Sequence, residues 1–221
     1  MIGVTLFDLD NTLIDRQLAY GRWVRAFAAD RGLGTDAVRV LSEADEDGFA
    51  SRLTVFETAR QKLGLVESVQ ELIADYRAEY PKFFQPDNTV LNALRRLRKG
   101  GFCVAVVTNG PPSQREKLER SGLRPLLDEV CISEEYGIEK PDPRIFIETI
   151  RRCCGAQNLD GTGWMIGDSP HHDIAGGKDA GLQTVWLSRG RTWTETDFAP
   201  DFVTFDVTGA IDLVLSLSPG R

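Results

Sequence analysis

The sequence predicts an α/β fold in which a doubly wound parallel sheet carries an inserted all-helical domain. After about residue 87, short apolar runs alternate with segments of helical periodicity, which is typical of a parallel sheet covered by helices on both faces. One apolar run near the start of the chain is separated from the others by a long block of helical periodicity. This block is too long for a single crossover connection, so we interpret it as a separate domain.

The boundaries follow from these patterns. The first strand is predicted over residues 3–8, and residues 15–86 contain about four helices separated by glycine and proline breaks. We assign residues 1–14 and 87–221 to the sheet domain and residues 15–86 to the helical insert. The later strands are predicted at residues 102–107, 129–132, 164–166, 184–187 and 202–205. Four aromatic side chains at helical spacing are predicted to form the core of the insert: Trp23, Phe27, Tyr76 and Tyr80.

Composition restricts the class of partner. The 221 residues carry a formal net charge of −7, which argues against a nucleic-acid polymer or an anionic membrane as the main partner. A small phosphorylated metabolite needs only a local positive pocket and stays compatible. The chain contains four cysteines, none in a CxxC pattern, and no basic leader or membrane-length apolar run. We therefore expect reduced thiols and a cytoplasmic protein, either a monomer or a homodimer.

Chemically active side chains follow several predicted strands. Ligands of open parallel sheets bind beyond the carboxyl ends of the strands. The first strand ends in Asp8 and Asp10, which point to the same side because they are two residues apart. The other strand ends and loops at this edge supply Thr108, Asn109, Gly110, Lys140, Asp168 and Asp173. Each alone has an ordinary explanation as a cap, a turn or a surface loop, but their joint placement favours a site.

The residue types are those of a phosphate-handling site. Asp8 and Asp168 are hard oxygen ligands of the kind that Mg²⁺ prefers. The Thr108 hydroxyl and the backbone amides that follow it, those of Asn109 and Gly110, are donors suited to phosphate oxygens. Lys140 supplies a positive charge, and a second carboxyl, Asp10, can protonate a leaving oxygen and then activate water.

The order of these motifs resembles the haloacid dehalogenase-like (HAD) hydrolase superfamily. The matching segments are Asp8-Leu9-Asp10-Asn11-Thr12, then Thr108-Asn109, then Lys140-Pro141, then Gly167-Asp168-Ser169 through Asp173. The helical insert resembles the all-helical C1 cap of that superfamily, and the sheet domain its Rossmann-like core. The resemblance implies a Mg²⁺-dependent enzyme that forms a covalent aspartyl-phosphate.

The resemblance also implies individual roles. Asp8 corresponds to the nucleophile and a metal ligand, and Asp10 to the general acid and base whose backbone carbonyl also binds the metal. Thr108 and Asn109 correspond to the phosphate-orienting pair. The remaining positions are Lys140, which stabilises the nucleophile and phosphoryl group, Asp168 as a metal ligand, and Asp173 as a supporting acid.

Position 10 narrows the chemistry within the superfamily. Members that cleave carbon–halogen bonds lack this second acid, so the resemblance implies a phosphate ester or anhydride as substrate. The Thr108-Asn109-Gly110 motif and residues 134–146 look most like the subgroup of pyrimidine 5′-nucleotidases and N-acylneuraminate-9-phosphatase. A phosphosugar mutase of the same fold stays open as an alternative. A phospho-acceptor signalling module fits less well, because such modules lack a helical cap.

Several other residues receive weaker assignments. His171 and His172 are adjacent and are expected at the rim or in solvent rather than on a metal. Arg189 and Arg191 are expected in a surface loop. In the insert, two residues near the Gly48 break are expected to contact substrate: Arg52 and Phe56.

Overall fold

The computed structural model describes residues 3–48, 50–154 and 163–217. The described strands are β1 (Val4–Phe7), β2 (Cys103–Thr108), β3 (Glu129–Ile132), β4 (Gly163–Gly167), β5 (Gln183–Leu187) and β6 (Phe202–Thr204). The described α-helices are α1 (Arg16–Asp30), α2 (Thr35–Asp45), α3 (Arg52–Leu63), α4 (Val69–Glu79), α5 (Asn88–Lys99), α6 (Gln114–Arg120), α7 (Ser133–Tyr136), α8 (Pro143–Cys154), α9 (Gly176–Asp179) and α10 (Val207–Leu217). A π-helical segment, Pro170–Ala175, precedes α9.

The six strands form one parallel sheet in the order β3-β2-β1-β4-β5-β6. The chain moves outward from β1 in both directions, and every residue of β1 is buried, as a strand covered on both faces requires. The predicted α/β class with a parallel sheet is confirmed. All six described strands lie where the sequence predicts them, with ends that differ by at most one residue.

The register of the sheet brings three strand ends together. Phe7 at the end of β1 lies beside Val106 of β2 and Ile166 of β4. The chain leaves all three strands at nearly the same level. The residues that follow, Asp8 and Asp168, together with Thr108, therefore emerge side by side.

By internal contacts the chain divides into two compact units, Met1–Ile14 with Gln85–Arg221 and Asp15–Phe84. The first unit has a core between the sheet and α8, in which Leu6, Ala105, Met165 and Phe146 are fully buried. Across the described residues, we find no helix with both the length and the apolar character needed to span a membrane.

The second unit consists of the four helices α1–α4. Its helix starts are encoded locally: the side chains of Asp15, Ser51 and Ser68 each accept a hydrogen bond from a backbone N–H of the first turn. Ser68 and Glu71 form a reciprocal capping box.

The core of this unit is aromatic, as predicted. Trp23 contacts Phe27 and Tyr76, and Tyr76 stacks on Tyr80 with 4.7 Å between ring centroids. All four of these side chains are buried.

The expected substrate contact at Phe56 is wrong. This side chain is fully buried, with its ring against Trp23 and Tyr76, so it belongs to the aromatic core. Its position in the sequence near a glycine break suited a loop contact, but the side chain lies on the inner face of α3.

Arg52 also has an internal role. Its guanidinium lies 2.8 Å from the buried Asp45 carboxylate and over the Tyr76 ring. The same carboxylate also binds Arg16 at 2.6 Å. Asp45 thus organises two arginines inside the helical unit, and the described contacts of Arg52 are structural ones.

The cysteines whose side chains are described are free thiols. Cys131 is buried, and Cys103 and Cys153 are half-buried. The side chain of Cys154 lies outside the described part of the structure.

Candidate active site

A buried lysine joins two of the predicted acids. Lys140 lies in the loop between α7 and α8, and its ammonium contacts Asp8 Oδ1 at 2.6 Å and Asp173 Oδ1 at 2.7 Å. Its side chain is only 2% exposed. A buried ammonium is stable only when it is paired, so the two carboxylates and the lysine hold one another in place.

Asp173 reaches the site from the π-helical segment. It is fully buried, and its Oδ2 accepts a hydrogen bond from the Ser169 N–H at 2.9 Å. The N-cap of the segment is Ser169, whose side chain accepts a hydrogen bond from the His172 N–H. Asp173 is therefore not the N-cap residue. Gly167 makes room for it, because a Cβ at that position would overlap the Asp173 carboxylate.

Burial and like charge raise the pKa values of two acids in this cluster. Burial, together with Asp173 and Asp168, raises the pKa of Asp8 to about 8 despite the attraction of Lys140. Burial and Asp173 likewise raise the pKa of Asp168 to about 6. Burial opposes the charge of Lys140, yet Asp173 and Asp8 together hold its pKa above the usual range. Burial is therefore the main reason why the ionised forms of Asp8 and Asp168 are disfavoured.

Asn109 positions the loop that carries Lys140. Its side-chain amide donates to the Lys140 carbonyl at 2.9 Å and accepts from the Lys140 N–H at 2.8 Å. The Gly110 N–H, expected to face phosphate, instead donates to the Ser133 hydroxyl at 3.0 Å. That expectation is wrong because α7 begins beside the loop and supplies an internal acceptor.

Asp10 and Thr108 are linked by a residue that the motifs do not include. Gln114 Nε2 donates to Asp10 Oδ2 at 2.9 Å and to Thr108 Oγ1 at 2.8 Å. Lys117 Nζ lies 2.8 and 2.7 Å from the two Asp10 oxygens. The Asp10 side chain thus packs against α6 and is not part of the acid group formed by Asp8, Asp168 and Asp173.

Two arginines expected in a surface loop contact Asp168 instead. Arg189 and Arg191 lie 3.2 and 3.1 Å from Asp168 Oδ2, and Arg191 also donates to its backbone carbonyl. The Trp186 indole N–H donates to the same carbonyl at 3.0 Å. The surface-loop expectation is wrong because the chain after β5 turns back across the end of β4, with Arg189 in the left-handed region.

The histidines stay outside the site, as expected. Both His171 and His172 are exposed. His171 Nε2 lies 3.4 Å from a Glu195 carboxylate oxygen, and its ring contacts Phe198. Partial desolvation of the imidazole lowers the pKa of His172, with the charge of Lys140 as a smaller cause.

The acid group fits a hard divalent cation. One carboxylate oxygen from each of Asp8, Asp168 and Asp173 lies within 4.8 Å of the others, and all three residues are buried. Oxygen donors alone, with no histidine or thiol among them, match the preference of Mg²⁺. The sequence-based ligand set of Asp8, Asp168 and the Asp10 carbonyl shares two residues with this group.

A second group of ligand-type side chains lies at the opposite edge of the sheet. Among the described residues, Cys103, Asp128 and Cys153 approach one another within 4.8 Å. Both Asp128 oxygens already have structural partners, Arg98 at 2.6 Å and the Val104 N–H at 2.8 Å. This group is explained by the packing of β2 against its neighbours.

The residues that sequence reasoning missed are the partners of the motif acids. Gln114 and Lys117 are spaced three apart on a helix that follows a motif, which is a weak signal, because polar helix residues usually face solvent. Arg189 and Arg191 follow a strand, as many surface residues do.

Comparisons with known proteins show the family of the chain. The family model of the haloacid dehalogenase-like hydrolases matches residues 2–181. The chain is 32% identical to a glyceraldehyde 3-phosphate phosphatase of Methanopyrus kandleri, covering 99% of each protein. It is 40% identical to the pyrimidine 5′-nucleotidase YjjG of Escherichia coli over 45% of this chain and 42% of that one.

A solved structure shows the same fold with a metal bound. The HAD-hydrolase YfnB of Bacillus subtilis, crystallised with magnesium, is 25% identical and superposes with a TM-score of 0.78 over 96% of this chain and 98% of that one. The parallel sheet, the order of the motif residues along its edge and the match of the family model lead to one conclusion: the chain belongs to the haloacid dehalogenase-like hydrolase family.

Proposed function

We propose that this protein is a Mg²⁺-dependent phosphatase that hydrolyses a small phosphorylated metabolite, a sugar phosphate or a nucleotide monophosphate, through an aspartyl-phosphate (an acyl phosphate) on Asp8. The observation that carries the proposal is the buried group at the carboxyl edge of the sheet, in which Lys140 bridges Asp8 and Asp173 beside Asp168. Relatives named as phosphatases of glyceraldehyde 3-phosphate and phosphoserine support the substrate class.

The proposed reaction has two steps. An Asp8 oxygen attacks phosphorus and the ester P–O bond breaks, while Asp10 supplies a proton to the departing oxygen. Water then attacks phosphorus, Asp10 accepts its proton, and the Asp8–phosphate bond breaks to release orthophosphate. Thr108 orients the phosphoryl group. Lys140 holds the attacking carboxylate and offsets charge on the transferred group.

Asp8 and Asp168, with the Asp10 backbone carbonyl, are the proposed ligands of Mg²⁺. The ion would reduce the repulsion between the negatively charged carboxylate nucleophile and the negatively charged phosphate. We include Asp173 as the acid that supports the lysine, because one of its oxygens binds Lys140 and the other binds the Ser169 N–H.

A substrate panel tests the proposal. Orthophosphate release is measured on sugar phosphates, phosphoserine, glyceraldehyde 3-phosphate and nucleotide monophosphates, with Mg²⁺ and with a chelator. We expect turnover only with Mg²⁺, and Asp8→Asn should lower kcat by at least about 10³-fold, because the near-isosteric amide is not a nucleophile.

The same panel separates the alternatives. Isomerised sugar phosphate without free orthophosphate would indicate a mutase. A long-lived phosphoprotein without turnover would indicate a signalling module. Full activity of a folded Asp8→Asn variant, judged by its thermal melt, would overturn the nucleophile assignment.

A further inference from the structure

The carboxylate of Asp10 is held by two side chains of α6. Lys117 Nζ contacts both carboxylate oxygens at 2.7–2.8 Å, and Gln114 Nε2 donates to Oδ2 at 2.9 Å. Both partners are buried: Gln114 is 2% and Lys117 8% exposed. Three hydrogen bonds therefore define the plane and direction of the Asp10 carboxylate.

The sequence of α6 separates this inner pair from an outer one. Gln114 and Lys117 are three residues apart and share one face of the helix. Glu116 and Arg120 form an exposed ion pair on the other side. A buried ammonium needs a charge partner, and Asp10 is a charge partner of Lys117 on this inward face.

Gln114 also connects Asp10 to the phosphate-orienting residue. A primary amide nitrogen has two hydrogens, and Gln114 uses them on Asp10 Oδ2 and on Thr108 Oγ1. Thr108 Oγ1 therefore accepts from Gln114, while its own hydroxyl makes a long 3.5 Å hydrogen bond to the Asn109 carbonyl. Gly110, at φ +148°, lets the Gln114 side chain lie against the loop, since a Cβ there would approach its Cγ to 3.2 Å.

We propose that Gln114 and Lys117 are positioning residues for the acid and base of this site. Lys117 sets the orientation of the Asp10 carboxylate, and Gln114 keeps that carboxylate in register with the Thr108 hydroxyl. This inference rests on the proposed function, because it requires that Asp10 act on the leaving oxygen. Both residues then affect the chemical step for esters whose departing oxygen needs a proton, and they affect substrate binding little.

The test compares two classes of ester in Lys117→Met and Gln114→Leu. For an alkyl phosphate, each change should lower kcat by about 10- to 100-fold, the loss typical of a misplaced catalytic group, with KM within about twofold. The loss should be smaller for p-nitrophenyl phosphate, whose leaving group departs without a proton. Arg120→Met is the matched control, because it removes a charge from the exposed face of the same helix, and its kcat should equal that of the wild type.

A double-mutant cycle with Asp10→Asn identifies the route of the effect. If Lys117 acts through Asp10, Lys117→Met should lower kcat no further in the Asp10→Asn background. An equal loss in both backgrounds, or an equal loss for both ester classes, would overturn the proposal. If Lys117→Met melts below the assay temperature, Gln114→Leu carries the same cycle. The proposed function fails separately, if wild-type protein releases no orthophosphate or Asp8→Asn stays active.

Discussion

At the scale of single residues, the site is governed by repulsion between three acids and by the cations that contact them. Asp8, Asp168 and Asp173 present oxygens within 4.8 Å, where like charges repel by about 3 kcal/mol per pair at an effective dielectric constant near 20. Lys140 contacts two of these acids, and Arg189 and Arg191 contact the third. The raised pKa values of Asp8 and Asp168 show that burial outweighs these partners.

This charge balance predicts a pH-dependent response to Mg²⁺. An acid whose folded pKa is raised contributes stability that is fully present below its unfolded pKa, near 3.8, and is lost as the pH rises through its folded pKa, about 6 for Asp168 and about 8 for Asp8. A cation binds the deprotonated acids and offsets that loss. The gain in Tm on adding Mg²⁺ should therefore grow from pH 5.5 to pH 8.5, buffer by buffer, in a thermal melt with a chelator as reference.

Asp168→Asn is the control for this measurement. It keeps the size of the side chain and removes one of the three acids, so the Mg²⁺-induced gain should be smaller and its dependence on pH weaker. A gain in the wild type that is constant or falls over this range would contradict the charge argument.

At the scale of elements, close packing at strand ends decides the geometry. β4 ends at Gly167, and the π-helical segment that follows returns Asp173 against that glycine. The absence of a side chain at position 167 lets the Asp173 carboxylate contact Lys140 and the Ser169 N–H together.

Gly167→Ala should therefore damage the site. The added methyl would overlap Asp173 and displace its carboxylate from Lys140, and we expect kcat to fall by about 10- to 100-fold. Orthophosphate release and a thermal melt measure the effect. Gly209→Ala in α10 is the matched control: its Cβ would have 3.7 Å to the nearest atom, so activity should be unchanged and stability equal or up to about 1 kcal/mol higher. Equal kcat for the two variants would refute the packing explanation.

The elements themselves were largely predictable, while the partners of the acids were not. β2 and β4 are continuous apolar runs, and glycines at positive φ, such as Gly122 and Gly181, mark the ends of helical segments. Local chemistry encodes these features. The inward face of α6 carries a glutamine and a lysine, and these polar residues are buried in contact with Asp10 and, for Gln114, also with Thr108.

At the scale of the whole molecule, each compact unit contains its own core. The sheet unit packs aliphatic side chains against α8, and the helical unit packs a cluster of aromatic rings. Phe56 belongs to the second core. Because its side chain is fully buried there, we assign it a packing role rather than a substrate contact.

Phe56→Ala should destabilise the helical unit by about 3–5 kcal/mol, the usual cost of removing a buried phenyl ring. Hydrogen exchange should show faster opening of α1–α4 than of the sheet strands, because the lost contacts lie within the helical unit. Leu53→Ala, 49% exposed on the same helix, is the control and should change stability by less than about 1 kcal/mol. An unchanged thermal melt with a raised KM would instead support a substrate contact at Phe56.

The sequence alone determined the parallel sheet, the helical character of the insert and the acids at the strand ends, because periodicity and strand-end position are local properties. Only the tertiary structure decided which cation serves which acid. Lys117 lies 107 residues from Asp10 and Lys140 lies 132 residues from Asp8. Such pairs depend on the register of the sheet and on the loops that cross its edge. The sequence around a charged residue does not indicate which distant residue will be its partner.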